Sequence, residues 1–278
     1  MKHYVASDLH GDTESFATLL GELAGKDYQL YFLGDAADRG PSGYMIIKWL
    51  LDNSHVTYLK GNHEDLFVRS AREFYRVWHK YWEHETLAEI MERHTIHEIM
   101  RKGPDMKLHM GNGGASTFLA WLNEGAPLEI IEQLDKLPLK ASYKDYDMCH
   151  AGTMITSWED EVAEDLIWDR DSFCEEWYPD RILVHGHTPV PLMPNYLAHQ
   201  EQLMEDPDSV WLIPQDEELR PEPLVYHPGA RSDYPNGLDM HRGLKVDIDT
   251  GAVFTGYLTI LDLDEGSVEV FSSEEPDK

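Results

Sequence analysis

The chain has 278 residues, 42% of them hydrophobic and 27% charged, which is enough length for a sizeable core in one large domain or two small ones. Asp and Glu number 52 against 23 Lys and Arg, a formal net charge of -29. Such a surface repels nucleic acid and anionic membrane at long range, so phosphate chemistry on this chain requires metal ions that reverse the sign locally.

The two cysteines, Cys149 and Cys174, imply no disulfide framework and a reducing compartment. Met1-Lys2 runs directly into a strand, with no signal-peptide pattern and no apolar run long enough to span a bilayer. The expected location is cytoplasmic, with no membrane and no nucleic acid among the partners.

His3 to Ser7 reads as the first strand, Asp8-Leu-His10-Gly11-Asp12 as the loop after it, and Thr13 to Leu23 as a helix with apolar Phe16, Leu19, Leu20 and Leu23. Asp8 and His10 are two apart, so extended backbone puts both side chains on one side. A carboxylate and an imidazole facing the same way make half of a site for a borderline cation.

Tyr28 to Leu33 is short and apolar, as a buried strand should be, and leads into Gly34-Asp35-Ala-Ala-Asp38-Arg39-Gly40-Pro41. A helix over Met45 to Leu51 follows. His55 to Leu59 is a third strand, leading into Gly61-Asn62-His63-Glu64-Asp65 and a helix from Leu66 to about Trp82. Taken singly, each loop also fits a capped turn. Three strand–loop–helix units bring all three polar loops to one edge of one sheet, where α/β proteins bind ligands.

The stretch 78–110 is rich in His, Glu and Arg and reads as helical. Its His94 and His97 suit a solvated amphipathic face better than a ligand pair. A Gly-rich loop, 111–114, precedes a helix over Ser116 to Leu122, and another helix spans Leu128 to Leu134.

A hairpin over Leu139–Tyr143 and Asp147–Cys149 exits into His150-Ala-Gly152, and a strand over Arg181–His185 exits into Gly186-His187-Thr188-Pro189. Small residues there let backbone and metal approach closely, which favours His150 and His187 as ligands. The stretch 191–241, rich in Pro and acid, has one candidate strand, Val210–Ile213, and otherwise reads as a functional loop. Leu244–Ile248 is a further strand. Ala252–Phe254, Tyr257–Leu263 and Val268–Phe271 read as an antiparallel meander.

The ordered set Asp8-x-His10-Gly, Gly34-Asp35-x-x-Asp38-Arg39-Gly40, Gly61-Asn62-His63-Glu64, His150-Ala-Gly and Gly186-His187 resembles the phosphoprotein phosphatase family of metallophosphoesterases. Leu166-Ile-Trp-Asp-Arg170 and Asp249-Thr-Gly-Ala-Val-Phe254 are similar to segments of its bacterial and phage lambda-type branch. Three departures stand out. Ser7 replaces the usual Gly, His-Ala-Gly replaces His-Gly-Gly, and Thr188-Pro189 lacks the second His of diesterase-type relatives.

The resemblance implies an α/β (α+β) fold, a four-layer α/β/β/α sandwich of two mixed sheets. It is read as one domain over 1–278, with a helical insertion at about 78–110 and a candidate lid at about 191–241. It also implies two divalent metals, with manganese expected and iron or zinc as alternatives. Asp8 and His10 would hold the first, Asp35 would bridge, and Asn62, His150 and His187 would complete the second. Arg39 and Arg170 would clamp phosphoryl oxygens. His63 would protonate the leaving oxygen, with Asp38 orienting it, while a metal-bridging water attacks phosphorus directly.

The expected activity is that of a phosphomonoesterase, on a phosphoserine or phosphothreonine protein or peptide, or on a small phosphate ester. The alternatives are a symmetrical diadenosine tetraphosphate hydrolase, which tends to carry Ala-Arg-Gly where this chain has Asp38-Arg39-Gly40, and a non-catalytic scaffold that binds partners through the acidic 191–241 stretch.

Overall fold

The computed structural model describes residues 1–153, 158, 162–170, 181–192, 224–227, 230–232 and 244–272. Their strands form two mixed sheets. In the first, β1 (Lys2–Ala6), β2 (Tyr28–Phe32) and β3 (Val56–Tyr58) run parallel, and β10 (Tyr257–Asp262) and β11 (Ser267–Ser272) extend it antiparallel in the order β11-β10-β1-β2-β3. The second comprises β4 (Lys140–Tyr143), β5 (Tyr146–Cys149), β6 (Ile182–His185), β7 (Leu224–His227), β8 (Ala230–Ser232) and β9 (Lys245–Asp247) in the order β4-β5-β6-β9-β7-β8, with β5, β6 and β9 mutually parallel.

Side-chain alternation along the strands separates the layers. Ala6, Leu30 and Phe32 face the outer helices, whereas Val5, Leu33 and Leu261 join Met148, Val184 and Val246 between the two sheets. Leu183, next to inward-facing Val184, points out instead and packs with Leu166 and Ile167 of α9 (Asp165–Trp168). The result is the expected sandwich: helices, sheet, sheet, helix. Among the described residues no helix is long and apolar enough to cross a membrane.

α1 (Thr13–Leu23), α2 (Gly43–Asp52), α7 (Ala115–Asn123) and α8 (Leu128–Asp135) lie where the apolar periodicity puts them. Three expectations need correcting. The helix after β3, α3 (Asn62–Tyr81), starts four residues earlier than the apolar pattern suggests, because Glu64 at its third position accepts the Gly61 N–H at 2.9 Å and caps the first turn. Ala252–Phe254 is not a strand but part of a helical turn, α10 (Ala252–Thr255), framed by Gly251 at φ 71° and Gly256 at φ 70°. Two left-handed glycines at the ends break the extended run that Val and Phe would favour.

The stretch 191–241 is not all irregular. β7 (Leu224–His227) pairs antiparallel with β9, and β8 (Ala230–Ser232) pairs with β7. The candidate strand Val210–Ile213 lies outside the described residues. The helical stretch 78–110 divides into the end of α3, α4 (Leu87–Arg93), α5 (Ile96–Met100) and α6 (Pro104–Gly111); capping boxes open α4 and α5, and Pro104 stands in the first turn of α6. Its last helix carries His109 to the Asp38 carboxylate.

Candidate metal centre

The parallel strands of both sheets end at one place. The loops after β1 and β2 carry Asp8 and His10, then Asp35, Asp38 and Arg39, and the first turn of α3, after β3, carries Asn62 and His63. The ends of β5, β6 and β9 carry His150, His187 and Asp249. Backbone bonds join the first two loops: Asp8 N–H to Gly34 O at 3.1 Å, His10 N–H to Asp35 O at 2.9 Å, and Gly40 N–H to His10 O at 2.8 Å. The two sheets meet where the His187 N–H donates to both Asp8 carboxylate oxygens, each at 3.2 Å. Gly186 makes that approach possible, since a Cβ there would sit 2.1 Å from Asp8 Oδ2.

The backbone is strained at this point. Asp8, His10, Asp35, Asp38, Arg39 and His187 all have positive φ, between 46° and 73°. Only Ala126 and Lys144 share that property among the other described non-glycine residues. Such conformations cost energy and persist where surrounding contacts over-determine them, typically at functional sites.

The donor atoms converge in two groups. His150 Nε2 lies 3.0 Å from Asn62 Oδ1, 3.2 Å from His187 Nδ1 and 3.3 Å from Asp35 Oδ1. His10 Nε2 lies 3.5 Å from Asp35 Oδ2 and 4.0 Å from Asp8 Oδ1. Asp35 therefore serves both groups, one oxygen to each. The tautomers are set from behind: His150 Nδ1 donates to Leu33 O at 3.0 Å and His10 Nδ1 to Ala37 O at 3.1 Å. With Nδ1 engaged there, each ring is oriented so that its Nε2 faces the other site atoms.

Burial lowers His10 well below the usual imidazole range, and the Arg39 charge adds to it. Burial also lowers His150, but the Asp35, Asp8 and Glu64 charges override it and raise His150 to about 9. Asp8 is pushed up by burial and by the Asp249 charge, and Asp249 is pushed up by burial to about 6. This pocket demands positive charge.

A pair of divalent cations fits. The donor set is mixed carboxylate, imidazole and amide oxygen, suited to manganese, iron or zinc. His187 Nε2 and Asp249 Oδ2 are also buried without a hydrogen-bond partner among the described residues.

At the edge of these groups His63 Nδ1 donates to Asp38 Oδ2 at 2.7 Å. Its Nε2 is 3.9 Å from Asp35 Oδ2 and 3.4 Å from Arg39 Nη2. That distance to Asp35 puts His63 within reach of the His10–Asp35 group. A guanidinium beside Nε2 opposes a cation there and favours an anion that both side chains can address. Burial would lower His63, yet the Asp35 charge and the Asp38 bond raise it above its usual value. Arg170 sits beside the other group, its Nη1 donating to Thr188 Oγ1 at 3.0 Å and to His187 O at 3.3 Å.

All ten predicted site residues thus gather where the parallel strands of the two sheets end. Three contributors escaped the sequence reading. Glu64, fully buried, accepts N–H groups from Asp35, Ala36 and Gly61 at 2.8–3.0 Å; its place beside His63 was the available signal. Thr117 Oγ1 accepts the Asp38 N–H at 2.8 Å. His109 on α6 holds the Asp38 carboxylate, while His94, one of the pair weighed from the sequence, packs its ring on Trp82.

The bis(5'-nucleosyl)-tetraphosphatase PrpE (asymmetrical) of Oceanobacillus iheyensis is 26% identical over 222 residues, covering 72% of this chain and 81% of the relative. Among solved structures, a candidate diadenosine tetraphosphatase superposes with a TM-score of 0.52 at 13% identity, covering 97% of this chain and 92% of that one. A cold-active protein-tyrosine phosphatase of a psychrophilic Shewanella gives 0.51 at 14% identity, covering 97% and 80%. These two similarities speak to the fold. The family model of the calcineurin-like phosphoesterases matches residues 1–218. With its polar loops gathered at the strand ends of a two-sheet sandwich, the chain belongs to the calcineurin-like phosphoesterases.

Proposed function

We propose that the protein is a metal-dependent phosphomonoesterase, a single catalytic domain acting on phosphoserine or phosphothreonine in a protein or peptide. Asp8, His10 and Asp35 would hold one cation, and Asp35, Asn62, His150 and His187 would hold the other. Cations bound there supply Lewis-acid polarisation of the phosphoryl group and activation of water. Arg39 and Arg170 bind and orient the phosphoryl oxygens with planar, multi-donor guanidinium groups. As the bond from phosphorus to the ester oxygen breaks and water oxygen takes its place, His63 gives its Nε2 proton to the departing oxygen. Asp38 keeps the Nδ1 proton in place and favours the charged imidazole. No covalent phosphoenzyme is needed.

The observation that carries this reading is the 2.7 Å His63–Asp38 contact, set beside Arg39 at the edge of the ligand groups. A second reading, hydrolysis of dinucleoside tetraphosphates, is favoured by the Oceanobacillus relative. Asp38 stands against the symmetrical variety, as Ala is the usual residue at that place in those hydrolases.

The test is a panel of para-nitrophenyl phosphate, a phosphoserine peptide and diadenosine tetraphosphate, each with manganese. The expected result is turnover of the first two, with His63→Asn slower by about 10²–10⁴-fold. Turnover of the dinucleotide alone would replace the proposal with the second reading. A wild-type rate in His63→Asn would remove that residue from the chemistry.

A further inference from the structure

The proton-donor pair described above has a third member. Asp38 is fully buried, and a second imidazole grips it besides His63. His109 Nε2 lies 2.9 Å from Asp38 Oδ2 and 3.0 Å from Oδ1. An ionised carboxylate only accepts, so Nε2 carries the proton. His109 is itself fully buried. Its ring packs between Phe67, at 5.8 Å, and Phe118, at 6.2 Å between centroids. Gly114 closes over the ring edge, where a Cβ would stand 2.1 Å from Cδ2 and 2.2 Å from Nε2. Nothing about this histidine is adjustable without moving the aromatic core.

The same segment holds the backbone of the loop. Thr117 Oγ1 accepts the Asp38 N–H, and Gly113 O accepts the Arg39 N–H at 3.1 Å. Asp38 and Arg39 are both in left-handed conformations, at φ 73° and 59°, which a loop does not keep without such restraint. α6 and α7 thus act together as a brace, with the His109 imidazole as the part that reaches the carboxylate.

We propose that His109 is a positioning residue for phosphoryl transfer: by binding both oxygens of Asp38 it fixes the carboxylate that aligns the His63 proton with the leaving group. The proposal rests on the reading of His63 as proton donor. Without His109, Asp38 keeps one side-chain partner and can turn about its terminal torsion, which is broad for carboxylates. The His63 ring then loses its fixed orientation, and a misplaced proton donor is costly in rate.

A leaving-group comparison separates positioning from general damage. Phenyl phosphate expels a strongly basic oxygen and needs the proton. 2,4-Dinitrophenyl phosphate expels a weakly basic one and does not. His109→Phe keeps an aromatic ring but offers no donor. It is expected to lower kcat on phenyl phosphate by about 10²-fold, the low end of what general acid catalysis contributes, with KM and the dinitrophenyl rate nearly unchanged. His109→Gln, whose amide can still donate to Asp38, is expected to recover much of the loss. Equal loss on both esters, or none on either, overturns the proposal.

Histidine-selective 15N NMR on the unmodified protein, loaded with a diamagnetic cation, needs no variant to fold. It should find a slowly exchanging proton on His109 Nε2, and a neutral ring protonated only at Nδ1 would also overturn the idea. His63→Asn serves as the control. If it shows no leaving-group discrimination, the proton-donor reading itself fails and His109 has nothing to position.

Discussion

Glu64 Oε2 accepts the backbone N–H of Asp35 at 2.8 Å and that of Gly61 at 2.9 Å, so one carboxylate ties the loop after β2 to the first turn of α3. Its Oε1 takes the Ala36 N–H at 3.0 Å. The carboxylate is buried and is pushed up by that burial and by the nearby Asp35 charge, so its position is maintained by the N–H groups converging on it. Glu64→Gln turns an amide NH2 toward donors. The expected cost is about 1–3 kcal/mol for a buried group left unsatisfied. Because Asp35 shifts with its backbone, manganese affinity should fall by about 10–100-fold, as for lost outer-shell support. Calorimetric melting and manganese titration of the same variant check both. Normal metal binding with a lower Tm would show that the loops are stitched independently of the cluster.

Asp264 provides a pH handle beside the start of β1. It accepts from the His3 N–H at 2.9 Å and from Tyr143 Oη at 3.1 Å, and it pairs with Lys144 and His3 Nδ1. In this way the turn after β10 is fastened to the β4–β5 hairpin of the other sheet. Partial burial raises it, but the Lys144, His3 and Tyr143 bonds outweigh that and hold it well below the carboxylate range. A group depressed in the fold stabilises above its unfolded value of about 3.9 and loses that contribution as pH falls toward the folded value. Asp264→Asn should therefore lower Tm by about 2–4 °C at pH 7, with the gap from wild type closing below about pH 4. A gap independent of pH would show that the contacts matter and the charge does not.

Phe254 is 51% exposed although large and apolar, and the Arg39 guanidinium lies 5.3 Å from its ring centroid. A cation over an aromatic face at an exposed site contributes about 0.5–1 kcal/mol. Phe254→Ala should cut kcat/KM on phosphate esters by roughly two- to fivefold, the rate equivalent of that energy. In an Arg39→Ala background the same change should have no further effect, because the cycle isolates the pair. A full additive loss in the double variant would assign Phe254 a contact with substrate instead.

Deletion of 191–241 would not spare the scaffold, since β7 lies against β9 within the second sheet. Its removal would uncover a central edge as well as any lid. The 78–110 stretch has a similar lesson. Its surface resembles a solvated helical face, yet His109 at its end is fully buried against Asp38.

Local chemistry made much of the protein legible from the sequence. Alternation and 3.6-residue periodicity marked β1 to β3, α1, α2, α7 and α8, and the polar runs at strand ends pointed to Asp8, His10, Asp35, Asn62, His150 and His187. Those signals are short-range, carried by neighbouring residues, and so survive without a partner. Helix α10 was missed because two left-handed glycines overrule the extended preference of the residues between them. The second partner of Asp38 and the role of Glu64 were decided only when the chain closed: His109 is 71 positions from Asp38, and the Glu64 contacts reach back 28 and 29. Burial makes such long-range hydrogen bonds obligatory, but no local pattern says which buried acceptor will meet which donor. That pairing is a property of the packed sheets and helices alone.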